Sequence, residues 1–166
     1  MTSPLGTAGL SITSQPVYVL GASAVAVSAP ADTSEDILAT INVPAGAMGL
    51  SGQVRLRGLV TVNSNANAKT VQVRLGGIAG TVYLSKNAAS VTTYPFEIML
   101  ANRGVANSQT SYQDVTGLAF NSLSGNAKVT SAIDTTVAQT IVITGQKAVA
   151  GDTITLESYL VELIIP

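Results

Sequence analysis

The stretch Gln53–Asn63, QVRLRGLVTVN, decides the fold class. Val54, Leu56, Val60 and Val62 fall on one side of a period-two pattern, with Gly58 in their row. Arg55, Arg57 and Thr61 fall on the other. Successive side chains of a strand point to opposite faces, so this is a half-buried strand with one face toward a core. Working outward, Lys69–Leu75 repeats the pattern with Val71, Val73 and Leu75 inward. The intervening NSNANA of residues 63–68 is built of turn formers. Upstream, Asp36–Val43 alternates with Ile37, Ala39, Ile41 and Val43 on one face, and Pro44-Ala45-Gly46 ends it.

Downstream, Gly76-Gly77 breaks the second strand, and Gly76–Gly80 reads as a hairpin turn. It lacks the Lys-Ser/Thr ending and following helix of a phosphate loop. Thr81–Ser85, Val91–Leu100, a weaker polar Ser108–Val115, Val137–Thr144 and Thr153–Ile165 complete a series of short strands. Helical periodicity is nearly absent; Ala45–Leu50 is the one short helix or turn. No repeat of 20–50 residues is present, which excludes a solenoid or propeller. Short strands spaced by turn signals predict an all-β, antiparallel jelly-roll-like β-sandwich.

Composition limits the chemistry. The 166 residues include no His, Cys or Trp, and charged residues make up 10%. A Ser–His–Asp or Cys–His centre is therefore excluded, as are disulfides. Zinc is disfavoured for the same reason. With 8 basic and 9 acidic residues the chain lacks the clustered positive charge of a duplex binder. The carboxylates of Glu35-Asp36 are sequence neighbours and face opposite ways on a strand. Asp114, Asp134, Asp152 and Glu157 are scattered, and Asp134 and Asp152 stand where Asp closes a turn before a strand. No catalytic residue, cofactor or metal ligand is expected. Tyr18, Tyr83, Tyr94, Tyr112 and Tyr159 are too dispersed for a sugar-stacking platform. Arg55, Arg57 and Arg74 either line a solvated face or pair with a partner surface.

The first charged residue is Asp32. Residues 1–31, punctuated by Pro4, Pro16 and Pro30, are expected to form an extended N-terminal arm, with residues 32–166 as the sandwich. Pro16 to Pro30 is too short to span a bilayer, and no basic n-region marks a secretory signal. Such an arm orders only by docking. Val17, Tyr18, Val19 and Leu20 are expected to add as an edge strand to a partner's sheet or groove.

The last strand carries a second ambiguity. Through Glu157 the alternation is ordinary, with Ile154 and Leu156 inward. From Tyr159 the formerly outward face becomes Tyr159, Val161, Leu163 and Ile165, while Leu160 and Ile164 occupy the other. A strand apolar on both faces is buried on both. One reading makes Tyr159, Val161, Leu163 and Ile165 a subunit interface, so that Leu163→Lys dissociates an assembly more than it unfolds a protomer. The other is a β-bulge that shifts the register.

Several phrases resemble a known family: INVPAGAMGLSGQVRLRG (41–58), NSNANAKTVQVRLGG (63–77), LANRGVANSQTSY (100–112) and AIDTTVAQTIVITGQKAVAGDTITLESYLVELI (132–164). They are similar to jelly-roll virion proteins of tailed bacteriophages, small trimeric sandwiches found as capsid decoration or cement proteins, head fibres and tail-fibre heads. The resemblance spans roughly residues 32–166 and carries no catalytic residues. It implies a homotrimer on the capsid surface, made in the host cytoplasm. Its partner is the major capsid protein, gripped by the arm, with no nucleic-acid or membrane contact. The short arm favours decoration over a fibre. The alternative is a head-fibre or tail-fibre tip that binds cell-surface carbohydrate through loops such as 63–68, 86–90 and 103–113.

Overall fold

A computed structural model describes residues 16–112 and 128–166. The strands are β1 (Val17–Ser23), β2 (Val27–Ser28), β3 (Glu35–Val43), β4 (Gln53–Val62), β5 (Lys69–Leu75), β6 (Thr81–Asn87), β7 (Thr93–Asn102), β8 (Gln109–Tyr112), β9 (Lys128–Ser131), β10 (Gln139–Lys147) and β11 (Ile154–Ile164). The described residues contain no helix; Ala45–Leu50 is a run of turns that buries Met48. The larger sheet runs β1-β11-β4-β7-β8-β9, with β2 also on β11, and the smaller runs β3-β10-β5-β6. Every pairing is antiparallel.

β1 and β2 pair successive parts of one side of β11, so they act as a single interrupted strand. With β8 and β9 set aside as an inserted hairpin, the order becomes first-eighth-third-sixth facing second-seventh-fourth-fifth. That is the double Greek key of a jelly roll. The expected fold class is the one observed.

The core lies between the two sheets, as in aligned sandwich packing. Val54, Leu56 and Val60 of β4 meet Val71, Val73 and Leu75 of β5, all fully buried, together with Ile98, Leu100, Ile141 and Ile143. Each such side chain contributes roughly 1.5–3 kcal/mol relative to an exposed one. The alternation of β4 is thus realised as read: Arg55, Arg57 and Thr61 take the solvent side.

Four bulges interrupt the pairing, with Leu20, Leu38, Tyr83 and Glu157 as the extra residues. At Leu38 the bulge reverses one expectation. Leu38 is buried and Ile37, expected inward, is about half exposed. At Gly58 close approach requires glycine: an added Cβ would sit 2.3 Å from Cζ of Phe96, whose ring occupies that space.

Two of the sequence expectations need correction. Residues 17–28 belong to the sandwich, because β1 and β2 are hydrogen-bonded to β11 of the same chain. The boundary at Asp32 therefore falls inside the jelly roll. Over residues 17–28 the absence of charge marks an uncharged first strand instead of an arm. Of the expected arm, residues 1–15 lie outside the described residues. The second correction concerns the last strand. Leu156 pairs with Val60 and Ser158 with Leu59, so Glu157 is looped out and inward positions change parity. Val161 and Leu163 are buried in the chain's own core, at 0% and 3% exposure, and Tyr159 and Ile165 pack against it. These four residues are not a free apolar face. The bulge reading of the last strand is the one realised.

Candidate functional site

The four residues expected to anchor a partner lie on the edge strand β1. Val17, Tyr18 and Val19 are more than half exposed, while Leu20 packs on the core. Strand addition does occur, but the acceptor is β11, through pairs such as Val17–Ile164 and Val19–Glu162. The mode was legible because VYVL is β-branched and aromatic. The acceptor was not, because nothing local distinguishes one's own sheet edge from another's.

The three arginines do not form one stripe. Arg55 and Arg57 stand on the outer face of the larger sheet and Arg74 on that of the smaller. Each is paired within the chain. Arg55 meets Glu162 at 2.7 Å, and Arg57 meets Glu97 at 2.9 Å in an exposed pair. Arg74 forks onto both oxygens of Glu35 at 2.9 and 3.0 Å, and its guanidinium also donates to Oε1 of Gln72 at 2.6 Å. The Thr144 hydroxyl donates to the same carboxylate at 2.6 Å. Burial works to raise the pKa of Glu35, but these donors and the Arg74 charge outweigh it and hold the carboxyl below its ordinary value. The Glu35 carboxylate is thus held as an anion, not poised as a proton donor.

Register sorts the connections into two ends of the sandwich. One end, the polar end, gathers residues 29–34, 63–68, 88–92 and 148–153. Asp152 is buried there, and its Oδ1 accepts from Nδ2 of Asn63 at 2.7 Å and of Asn65 at 2.6 Å. Those bonds, with help from Asn67 and Lys69, draw its pKa down to about 2. The fully buried Lys69 ammonium donates to Oδ1 of Asn65 at 2.5 Å and to the Asn67 carbonyl at 3.0 Å, and lies 3.9 Å from Oδ2 of Asp152. A buried ion pair survives when its remaining polar atoms are satisfied. Here the asparagines serve the ammonium and Oδ1 of Asp152, while Oδ2 has no hydrogen bond among the described residues and only the Lys69 charge at 3.9 Å. Sequence reading treated Asp152 as a turn closer and overlooked Lys69. The available signal was parity, because Lys69 shares the inward row of Val71, Val73 and Leu75.

Two of the loops considered for carbohydrate do meet at this end. Ser90 N donates to the Asn65 carbonyl at 2.7 Å, and Ala88 N to that of Lys69 at 2.8 Å. The Asn63 and Asn65 amides are turned to Asp152 and Lys69, away from an outside ligand. The described part of the third loop, 103–108, lies at the opposite end. Of the expected acidic residues, Asp134 accepts from N and Oγ1 of Thr136, a local turn, and Asp114 lies outside the described residues. Among the described residues no three His, Cys, Asp or Glu side chains gather as metal ligands.

The opposite end, the loop end, gathers residues 44–52, 76–80, 103–108 and 132–138, with Pro16 and Pro166 beside them. The loops are braced to one another. Gly46 N donates to the Thr135 carbonyl, Gly104 N to that of Leu50 and Thr135 N to that of Ala106, all at 2.9–3.0 Å, while Gly76 N ties the 76–80 turn to Thr140 of β10 at 2.9 Å. Beneath them the buried Gln109 side chain donates to Asn102 Oδ1 and to the Ala106 and Ile133 carbonyls, each at 2.9 Å. Leu50, Ile78, Val105 and Val137 project from this braced end at 43–61% exposure.

No family model matches the chain, and no curated protein matches it. Solved structures do. The VP2 subviral particle of infectious bursal disease virus is 14% identical with a TM-score of 0.42, over 91% of this chain; the chain spans about a third, 32%, of that one. The CBM2 module of the evolved Dit of Lactobacillus casei BL23 phage J-1 is 13% identical with a TM-score of 0.36, over 76% of this chain and 70% of that one. Lectin I from Ulex europaeus, solved with the methyl glycoside of α-L-fucose, is 8% identical with a TM-score of 0.41, over 91% and 92% of the two chains.

Proposed function

We infer that the chain is a non-enzymatic structural virion protein of a tailed bacteriophage, a trimeric decoration or cement protein that binds the capsid surface. The observation that carries this reading is a jelly roll complete within the described residues, preceded by 15 residues without a charge. Jelly rolls of this order build viral capsid and lectin domains, and the sequence phrases resemble the phage members. The non-enzymatic part is supported by what the charged groups do. Glu35, Glu97 and Glu162 are committed to arginines and Asp152 to asparagines and Lys69. The trimer rests on the resemblance alone, since Tyr159, Val161, Leu163 and Ile165 pack on the chain's own core.

The carbohydrate-binding fibre tip has less support. Its loops are divided between the two ends, and the NSNANA side chains hold the protein's own ion pair. The test is to purify virions of the phage that encodes the chain and count copies by quantitative mass spectrometry, with sedimentation equilibrium on the free protein. Hundreds of copies per particle and a trimer mass are the expected results. A handful of copies moves the protein to a fibre, and absence from the particle refutes the virion reading.

A further inference from the structure

We propose that the loop end of the sandwich is the face seated on the particle shell, against an apolar, weakly charged protein surface. This rests on the virion reading above and names the contact that reading leaves open. Single exposed aliphatic residues are ordinary on any protein. Here four separate connections, drawn from both sheets, each present one at the same end: Leu50, Ile78, Val105 and Val137. The stretches 44–52 and 76–80 carry no charge, and the other two carry one each, Arg103 and Asp134, of opposite sign. Four exposed aliphatic side chains at one end with little charge among them suit a docking face. Because three of the loops are tied together by hydrogen bonds and 76–80 is tied to β10, seating them orders little additional chain.

The occupant follows from where the chain continues. Pro16 lies at this end, its carbonyl accepting from Ile165 N at 3.3 Å, and the 15 residues ahead of it have no charge. A chain of that length reaches at most about 50 Å. Attachment through those residues starts from the loop end, whereas reaching the shell with the polar end would take up the length of a ten-residue strand, roughly 33 Å of that span. The polar end also exposes Val91 and Val149, but among Asp32 and the NSNANA loop, and so supplies a matched control.

The test compares Leu50→Asp/Val137→Asp with Val91→Asp/Val149→Asp, both made at exposed positions so that thermal midpoints stay near wild type. Each full-length protein is added to particles of the encoding phage that lack the native copy, and bound protein is measured by co-sedimentation. The loop-end variant is expected to bind at least about tenfold more weakly, since it buries unpaired charge. The polar-end variant is expected to bind as wild type does. Wild-type binding by the loop-end variant overturns the proposal. If deletion of residues 2–15 abolishes binding in that case, the virion reading survives and attachment belongs to that segment alone. A loop-end variant that binds particles normally but loses its trimer mass shows a self-contact and likewise overturns it. Failure of the wild-type protein to bind refutes the virion reading along with the proposal.

Discussion

Leu163→Ala and Leu160→Ala form a pair that reads the Glu157 bulge directly. With the bulge, Leu163 points into the core at 3% exposure, and Leu160 pairs with Arg57 on the outer face. Truncating a fully buried leucine removes its transfer free energy and leaves a cavity, about 3 kcal/mol together. Truncating a partly covered surface leucine costs about 1 kcal/mol or less. At a urea dependence of about 2 kcal/mol per molar, Leu163→Ala lowers the unfolding midpoint by about 1.5 M and Leu160→Ala by about 0.5 M or less. Urea titration followed by far-UV circular dichroism measures both, and sedimentation velocity checks that the assembly state is unchanged. Equal midpoint shifts would refute the register. So would a Leu163→Ala protein that keeps its midpoint but changes its sedimentation coefficient, which would return Leu163 to a subunit interface.

Deleting residues 1–15 is expected to preserve the fold, whereas deleting 1–31 removes β1 and β2, uncovers β11 and yields aggregated protein; size-exclusion chromatography of the two truncations decides. Gly58→Ala is expected to cost about 1–3 kcal/mol by overpacking against Phe96, and Phe96→Leu in the same chain should recover much of it in a double-mutant cycle. The Asp152 carboxyl is depressed in the folded state from 3.8 to about 2. Its stabilising contribution is therefore complete above pH ~4 and is lost as pH falls through about 2, and Asp152→Asn should flatten the stability profile across that window. Arg57→Ala, breaking an exposed pair, should shift the thermal midpoint far less than Arg74→Ala, which opens a fork that is mostly covered.

The inward rows of β4 and β5 were legible because uninterrupted alternation translates directly into a buried face. The bulges at Leu38 and Glu157 were not. Leu38 takes the core position by adding a residue to its own strand, a choice settled by pairing with β10. At Glu157 the sequence did show a change of parity, but both explanations predicted the same row of side chains. Only the partner strand β4 separates them. The polar end was half legible: NSNANA was read as a loop, but its amides serve Asp152, which lies more than eighty residues away. Interactions of that separation leave no local trace in composition or spacing.

The first strand of the sandwich is hydrogen-bonded to the last, residue 17 with 164 and residue 23 with 159. During synthesis at about 5–20 residues per second, β1 therefore leaves the ribosome many seconds before its partner exists. Contacts this distant along the chain also make closure slow. Through that interval VYVLGAS is an uncharged strand with no mate, the kind of segment that pairs with a neighbouring nascent chain. The yield of soluble protein should thus depend on translation speed and on holdase chaperones more steeply than its equilibrium stability suggests. Fusing a soluble domain ahead of residue 1 should help by keeping neighbouring copies apart until β11 arrives.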